Sequence, residues 1–296
     1  MTAESTVRLE LGSELRHAIE REELSLHYQA IVDLESATTF GYEALVRWKH
    51  PVQGNVPPNI FIPIAEAKGM IVAIGEWVLR KACQQAAQWR TQFDRELVIS
   101  VNVSMRQLAS KGFVETVIDA LQTTQLPPNC LKLEVTESLL MQQPKDTLYK
   151  LHELRESGVT IAIDDFGTGY SSLSYLHQMP LDVLKIDRSF VNGMFDSGKH
   201  LAIVRAILAL ATSLQLKVIA EGVETIEQLQ QLQVLGCDMV QGYFFSRPLA
   251  VTEAAKLIVQ NWDWQRAEVC SLILTKGRGG QLLTQRPEGK YTIGLP

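Results

Sequence analysis

The sequence predicts an α/β fold in which a mostly parallel sheet closes into a barrel, and three observations point there. Short runs rich in Val, Ile and Leu alternate with longer stretches whose apolar residues recur at helical spacing. That is the signature of βαβ units and of a parallel sheet buried on both faces. Eight such runs occur, and the 296 residues are close to the ~250 that α/β barrels typically take. An open doubly wound sheet would give a similar alternation, but eight strands at this length favour closure. The first two runs are joined by a short polar turn with no helix between them. At least one pairing should therefore be antiparallel, and a simple eightfold repeat is not expected.

In chain order, Ser13 to Glu22 predicts an amphipathic helix. Leu24 to Asp33 and Thr39 to Trp48 are rich in apolar, aromatic and β-branched residues around a polar turn, and predict two strands. Longer periodic stretches predict helices at Ile71–Gln92, Gly112–Thr123, Thr147–Ser157, Leu201–Leu214, Ile226–Leu235 and Thr252–Trp262. Between them, runs too short and too apolar for surface helices predict strands at Leu97–Val103, Leu131–Val135, Thr160–Ile163, Val183–Ile186, Lys217–Ala220 and Met239–Val240. The barrel is assigned to residues 1–262. The extension 263–296 changes character, with SLILT, GRGG and few acids, and reads either as a small hairpin packed on the barrel or as a tail.

Apolar residues at 46% suffice for a large core, while a net charge of -5 argues against a chain that wraps a nucleic-acid polymer through basic surface. A nucleotide substrate remains open if metals neutralise its phosphates. Cys83, Cys130, Cys237 and Cys270 show no metal-binding spacing and read as buried free thiols of a reducing compartment. The first twenty residues lack a signal peptide's apolar core, and no uncharged apolar run approaches the ~20 residues of a membrane span. The expectation is a soluble, cytoplasmic protein.

Six acids sit where a predicted strand gives way to a turn: Glu43, Glu134, Asp164, Asp165, Asp187 and Glu221. Asn102, Lys185 and Gln241 occupy equivalent positions. In an α/β barrel the carboxyl ends of the strands form the active-site face, so all nine groups should meet there. A single acid after a strand is ordinarily a helix cap or turn residue. Seven strand ends carrying carboxylate, amide or lysine argue against independent capping. Two carboxylates about 4 Å apart repel by roughly 4 kcal/mol at an effective dielectric of 20. Six therefore require cations or strong upward pKa shifts, and oxygen donors without Cys or His suit Mg²⁺ or Mn²⁺ rather than Zn²⁺.

Other matches are weaker. Asp165-Phe166-Gly167 matches the kinase metal-binding triplet, but no glycine-rich phosphate loop or catalytic-loop motif accompanies it. Asn102-Val103-Ser104 fits a glycosylation sequon that a cytoplasmic protein would not use. The six histidines show no paired ligand spacing.

The chain resembles the EAL-domain family of cyclic di-GMP phosphodiesterases through a set of motifs in the family's order. They are Tyr28-Gln29, Glu43-Ala44-Leu45 with Arg47, Asn102-Val103-Ser104, Glu134-Val135-Thr136-Glu137, the run DDFGTGYSSLSYL from Asp164, Lys185-Ile186-Asp187, Ala220-Glu221-Gly222-Val223-Glu224 and Gln241-Gly242-Tyr243. The resemblance implies a modified TIM-type (β/α)8 barrel with one antiparallel strand near the N-terminus. It further implies a two-cation hydrolase, using Mg²⁺ or Mn²⁺, that opens cyclic di-GMP to linear pGpG. Carried onto matching positions, Glu43, Asn102, Glu134 and Asp164 hold one cation. Asp164 bridges to the second, held with Asp165 and Glu221, and nearby Asp187 is counted among the metal-binding residues. Lys185, Glu221 and Gln241 are the implied catalytic groups. Gln29, Leu45, Arg47 and Glu224 face the substrate, and Glu137 anchors the loop 165–172, where Gly167 and Gly169 permit unusual backbone angles. Ala30 stands where many members have proline, a departure that removes no ligand.

Family resemblance also implies a homodimer with the 164–176 loop and the following helix near its interface. The alternative within the family is an inactive receptor for cyclic di-GMP, which ordinarily lacks a metal ligand or has a degenerate loop; neither change occurs here. An unrelated metal-dependent barrel acting on carbon acids would show proton exchange without phosphodiester cleavage.

Overall fold

A computed structural model of the chain describes residues 10–137, 145–168, 176, 178–196, 198–260 and 262, with the backbone of 283–285 and 291–293. The strands of the main sheet are β1 (Leu24–Asp33), β2 (Thr38–His50), β3 (Gly54–Val56), β4 (Val98–Asn102), β5 (Leu131–Thr136), β6 (Thr160–Phe166), β7 (Val183–Ile186), β8 (Lys217–Glu221) and β9 (Met239–Gln241). Their order is β1-β9-β8-β7-β6-β5-β4-β2, and β1 also pairs with β2, so eight strands close into the expected barrel. β1 runs antiparallel to both neighbours, whereas the other barrel pairings are parallel. The short β3 pairs only with the end of β2. Two further strands, β10 (Leu283–Gln285) and β11 (Tyr291–Ile293), pair antiparallel in the C-terminal extension. Residues 263–282 of that extension, with Cys270, lie outside the described residues.

The helices are α1 (Pro58–Ala67), α2 (Ile71–Phe93), α3 (Met105–Ala109), α4 (Phe113–Thr124), α5 (Lys145–Glu156), α6 (Arg188–Asn192), α7 (Gly198–Ser213), α8 (Ile226–Val234) and α9 (Val251–Ile258). None of the described helices is long and apolar enough to cross a membrane. Three helices and β3 were not expected from the sequence. In α1 the prolines look like breakers, yet Pro58 occupies the first turn, where its missing N–H has no intrahelical partner to lose. The short α3 begins with a capping box between Ser104 and Gln107, and α6 is capped by Asp187.

The predicted first helix needs correction. Residues 10–14 are helical, Leu15–His17 tighten into a 3-10 turn, and the chain reverses at Glu22 in the left-handed region to enter β1. The last helix ends at Ile258 rather than Trp262. Trp262 instead donates its backbone N–H to the Ala37 carbonyl at 2.9 Å and its indole N–H to Thr39 Oγ1 at 3.1 Å, drawing the chain over the β1–β2 turn.

Helices cover the outside of the barrel. Along α2, Ile71, Ile74, Val78, Leu79, Ala82, Cys83, Ala86 and Trp89 recur at three- and four-residue spacing and are buried. Trp89 packs edge-on to Tyr28 at 4.8 Å and tilted against Tyr42 at 5.0 Å, and the Tyr42 hydroxyl donates to the Ala254 carbonyl at 2.9 Å. Burying each large side chain contributes about 1.5–3 kcal/mol, so this packing fixes the β1–β2 hairpin against α2 and α9. Cys83, Cys130 and Cys237 are buried free thiols.

Strand alternation sets what lines the bore, because residues two apart point to the same side. Two residues before the mouth residues Asn102, Glu134, Asp164, Lys185, Glu221 and Gln241 come Ser100, Lys132, Ala162, Val183, Ile219 and Met239, all buried. Ile31, Ala162, Val183, Ile219 and Met239 pack together as an apolar plug beneath the mouth. β2 pairs with β4 only from Gly41 to Ala44, but continues along β1 to Trp48. Its last residues therefore rise beyond the rim of the barrel.

Candidate active site

The mouth of the barrel gathers the residues that the sequence marked. Asp164, Asp165, Glu221 and Gln241 lie within the last residues of their strands rather than after them, which places them over the bore. Glu43 accepts hydrogen bonds from Asn102 Nδ2 and from Gln241 Nε2, each at 2.7 Å. Gln241 Nε2 also donates to Gln29 Oε1 at 3.1 Å, and Gln29 Nε2 donates to the Ser246 carbonyl at 3.1 Å. One amide thus links Glu43 to Gln29.

Lys185 stands at the centre with no exposed surface. Its Nζ lies 2.6 Å from Glu134, 2.7 Å from Glu221, 3.1 Å from Asp164 and 3.7 Å from Glu43. Burial alone would lower its pKa, but these carboxylates hold it well above the ordinary lysine value, so it is an ammonium. The protein therefore supplies one counter-charge itself. The acids divide the remainder. Burial pushes Glu134 up to about 7, assisted by Glu43 and Asp164, and pushes Glu221 well above the usual carboxylate range despite Lys185. Glu43 is buried too, yet Lys185 and the two amides outweigh that cost and hold it below its ordinary value.

Asp164 and Asp165 are consecutive, and in a regular strand they would point to opposite faces. The β6–β7 register shifts between Ile163 and Phe166, and Asp165 adopts a left-handed φ of 54°. This bulge turns both carboxylates toward the mouth. Each of Asp164, Asp165 and Glu221 offers an oxygen within 4.8 Å of the others, a group able to hold a metal ion. Burial, then Asp164 and Asp187, raises the pKa of Asp165.

Asp187 stands apart from that group. Its carboxylate caps α6, accepting from the Ser189 N–H at 3.0 Å and from the Ser189 hydroxyl. Glu137 Oε2 accepts the Gly167 N–H at 2.8 Å, and Gly167 has φ 97° with Phe190 packed against it. Residues 169–175 of the implied loop, including Gly169, lie outside the described residues. Leu45 and Arg47 follow Glu43 on the same side of the overhanging β2, and Arg47 donates to its neighbour's carbonyl, Val46 O, at 2.9 Å. A cleft of about 260 Å³ opens above the carboxylates, lined by Gln29, Glu43, Leu45, Asn102, Asp164 and Glu221, with Glu224 and Gln241.

Several site residues were not singled out in the sequence. Arg188 and Tyr243 also line the cleft, the latter with Arg247 4.4 Å above its ring. Lys132 is 1% exposed, its Nζ has no hydrogen-bond partner among the described residues, and it lies 5.3 Å from the Phe40 ring centre. Burial pulls its pKa down to about 8 against the attraction of Glu134. Period-two alternation back from Glu134 would have placed it in the bore.

Comparison with known proteins agrees with this architecture. The cyclic di-GMP phosphodiesterase NbdA of Pseudomonas aeruginosa is 46% identical over 245 residues, 83% of this chain and 31% of NbdA. The bifunctional diguanylate cyclase/cyclic di-GMP phosphodiesterase MucR of the same organism is 46% identical over 84% of this chain and 36% of MucR. The chain thus spans about a third of the length of these relatives. The solved structure of the PaMucR phosphodiesterase in complex with c-di-GMP superposes with a TM-score of 0.80 at 46% identity, covering 83% of this chain and 99% of that one. The sequence profile of the EAL domain matches residues 13–248, from the N-terminal segment to just past the last barrel strand, and the chain belongs to that family.

Proposed function

We propose that this chain is a metal-dependent phosphodiesterase that hydrolyses cyclic di-GMP to linear pGpG. The observation that carries the reading is the buried Lys185 ammonium ringed by Glu43, Glu134, Asp164 and Glu221 at the barrel mouth. One ammonium cannot balance four carboxylates together with Asp165 if all are ionised: without cations Glu134, Asp165 and Glu221 are pushed toward their protonated forms, and divalent cations bound there would let them ionise. The donors fit Mg²⁺ or Mn²⁺, being oxygens without Cys or His, and Glu134 Oε1 and Gln241 Oε1 are buried without a hydrogen-bond partner among the described residues. Glu43, Asn102, Glu134 and Asp164 would hold one cation, and Asp165 and Glu221, grouped with Asp164, would hold a second, with Asp187 steadying the adjoining α6. Two cations bound there would acidify a water and neutralise charge developing on the phosphorane.

The chain's own groups do the rest. Water adds to one phosphorus, the P–O3′ bond breaks, and the 3′-oxygen leaves with a proton, giving a linear dinucleotide with a 5′-phosphate. Lys185 places a desolvated positive charge beside the reacting phosphoryl oxygens, where charge develops in the transition state. Gln241 fixes Glu43 relative to Gln29, which faces the nucleotide with Leu45 and Glu224. Arg47 offers a planar fork to a phosphodiester. Glu137 keeps the backbone after Asp165 in place. A homodimer in the bacterial cytoplasm completes the reading.

Purified protein supplied with Mg²⁺ or Mn²⁺ should convert cyclic di-GMP to pGpG, followed by chromatography. Glu43→Ala should lower turnover by at least about 100-fold, a loss seen even for outer-shell partners of metal sites. Tight binding without pGpG under either metal would assign the chain to the receptors instead.

A further inference from the structure

The geometry points to Arg188 as a second phosphate-binding residue, facing Arg47 across the mouth and holding the phosphodiester of a cyclic dinucleotide that does not react. The inference rests on the phosphodiesterase reading above and adds a residue to it.

Topology gives the placement. Around the closed barrel the order β2, β4, β5, β6, β7 puts the end of β7 four strands from the end of β2, on the opposite wall. Arg47 belongs to the overhang of β2, whereas Arg188 is the first residue of α6, directly after β7 and its capping Asp187. Glu43, Asp164, Glu221 and Arg188 line one cleft, while Arg47, close to Glu43 and Tyr243, lines the adjoining groove with Leu45 and Asn102.

The surroundings of Arg188 leave its charge available. It is exposed, and among the described residues it has neither an ion-pair nor a hydrogen-bond partner, although Glu221 and Glu224 line the same cleft. Its root is nonetheless held firmly. Gly222 turns with φ +72° directly against it, so close that a Cβ there would lie 2.5 Å from the Arg188 Cβ. A guanidinium on a fixed root, facing a cleft and unspent on local carboxylates, is arranged for an anionic ligand.

The substrate chemistry asks for such a group. A cyclic dinucleotide has two phosphodiesters, and only one can sit over the carboxylate cluster where cations bind. The other reaches toward the wall bearing Glu224, and an unpaired phosphate there would be repelled. A guanidinium matches the two non-bridging oxygens bidentately. A diester with a single phosphate cannot use both arginines. Arg188 therefore contributes to selection of the cyclic dinucleotide over simple diesters.

Steady-state kinetics of wild type, Arg188→Ala and Arg188→Lys should be measured on cyclic di-GMP and on bis(p-nitrophenyl) phosphate, with Mn²⁺ present. For Arg188→Ala, KM for cyclic di-GMP should rise about tenfold or more with kcat within about twofold, as expected for losing a charge-assisted contact. The ratio of kcat/KM for cyclic di-GMP to that for the simple diester should fall by the same factor, and Arg188→Lys should restore part of it. An unchanged ratio, whether both activities fall together or neither does, overturns the assignment of Arg188 alone. A wild-type protein that leaves cyclic di-GMP intact overturns the phosphodiesterase reading and this inference with it.

Discussion

Among single residues, Lys132 is a buried cation that the fold holds against its desolvation. It lies one pleat below Glu134, buried, with its ammonium lacking a hydrogen bond among the described residues and its pKa pulled down to about 8. An unfolded lysine titrates near 10.4, so between about 8 and 10.4 the unfolded chain binds more protons than the folded one. Stability should therefore rise with pH across that window. Lys132→Met should be more stable than wild type at pH 7 and should lack the alkaline gain, the relief of a buried charge outweighing the lost attraction to Glu134. Urea denaturation of metal-free protein at pH 7 and pH 9.5 measures both, and equal pH slopes for the two proteins would refute the argument. The acids of the site were legible in the sequence because a charge ending an apolar strand is conspicuous. Lys132 was hidden because it sits inside such a run, where only alternation reveals which way it points.

At the scale of elements, the shape of the mouth depends on two departures from regular strands. One is the overhang of β2, which carries Leu45 and Arg47 above the rim on the side of Glu43. The other is the bulge at Asp164 and Asp165, followed by Gly167, whose N–H is held by Glu137. A carboxylate acceptor for that N–H is stronger than a neutral amide. Glu137→Gln should leave the far-UV spectrum intact while lowering kcat on cyclic di-GMP by about tenfold or more, because misplacing groups at a reacting centre by an ångström can cost as much as 10²-fold. Activity equal to wild type would separate the loop from Glu137. The long helices and all eight barrel strands could be read from periodicity, but α1, α3 and α6 could not. They are set by proline at a first turn and by side-chain caps, signals too local for an eleven-residue periodicity window. The bulge was equally invisible, since two adjacent aspartates say nothing about backbone φ.

For the whole molecule, the closed barrel and its antiparallel β1 follow from the count of strands and the missing first crossover helix, and both were legible. Assembly was not, because a dimer contact leaves no periodic trace in one chain, and much of the segment assigned to it lies outside the described residues. Sedimentation equilibrium at micromolar concentration should give twice the mass of one chain; a single-chain mass would remove the dimer from the proposal.

The apolar plug of Ile31, Ala162, Val183, Ile219 and Met239 fills the bore beneath the carboxylates, leaving the mouth as their open side. On the phosphodiesterase reading, ions, nucleotide and product would all come and go by that one side. A lingering product would then bar the next arrival, so the pace of clearing would cap the pace of filling.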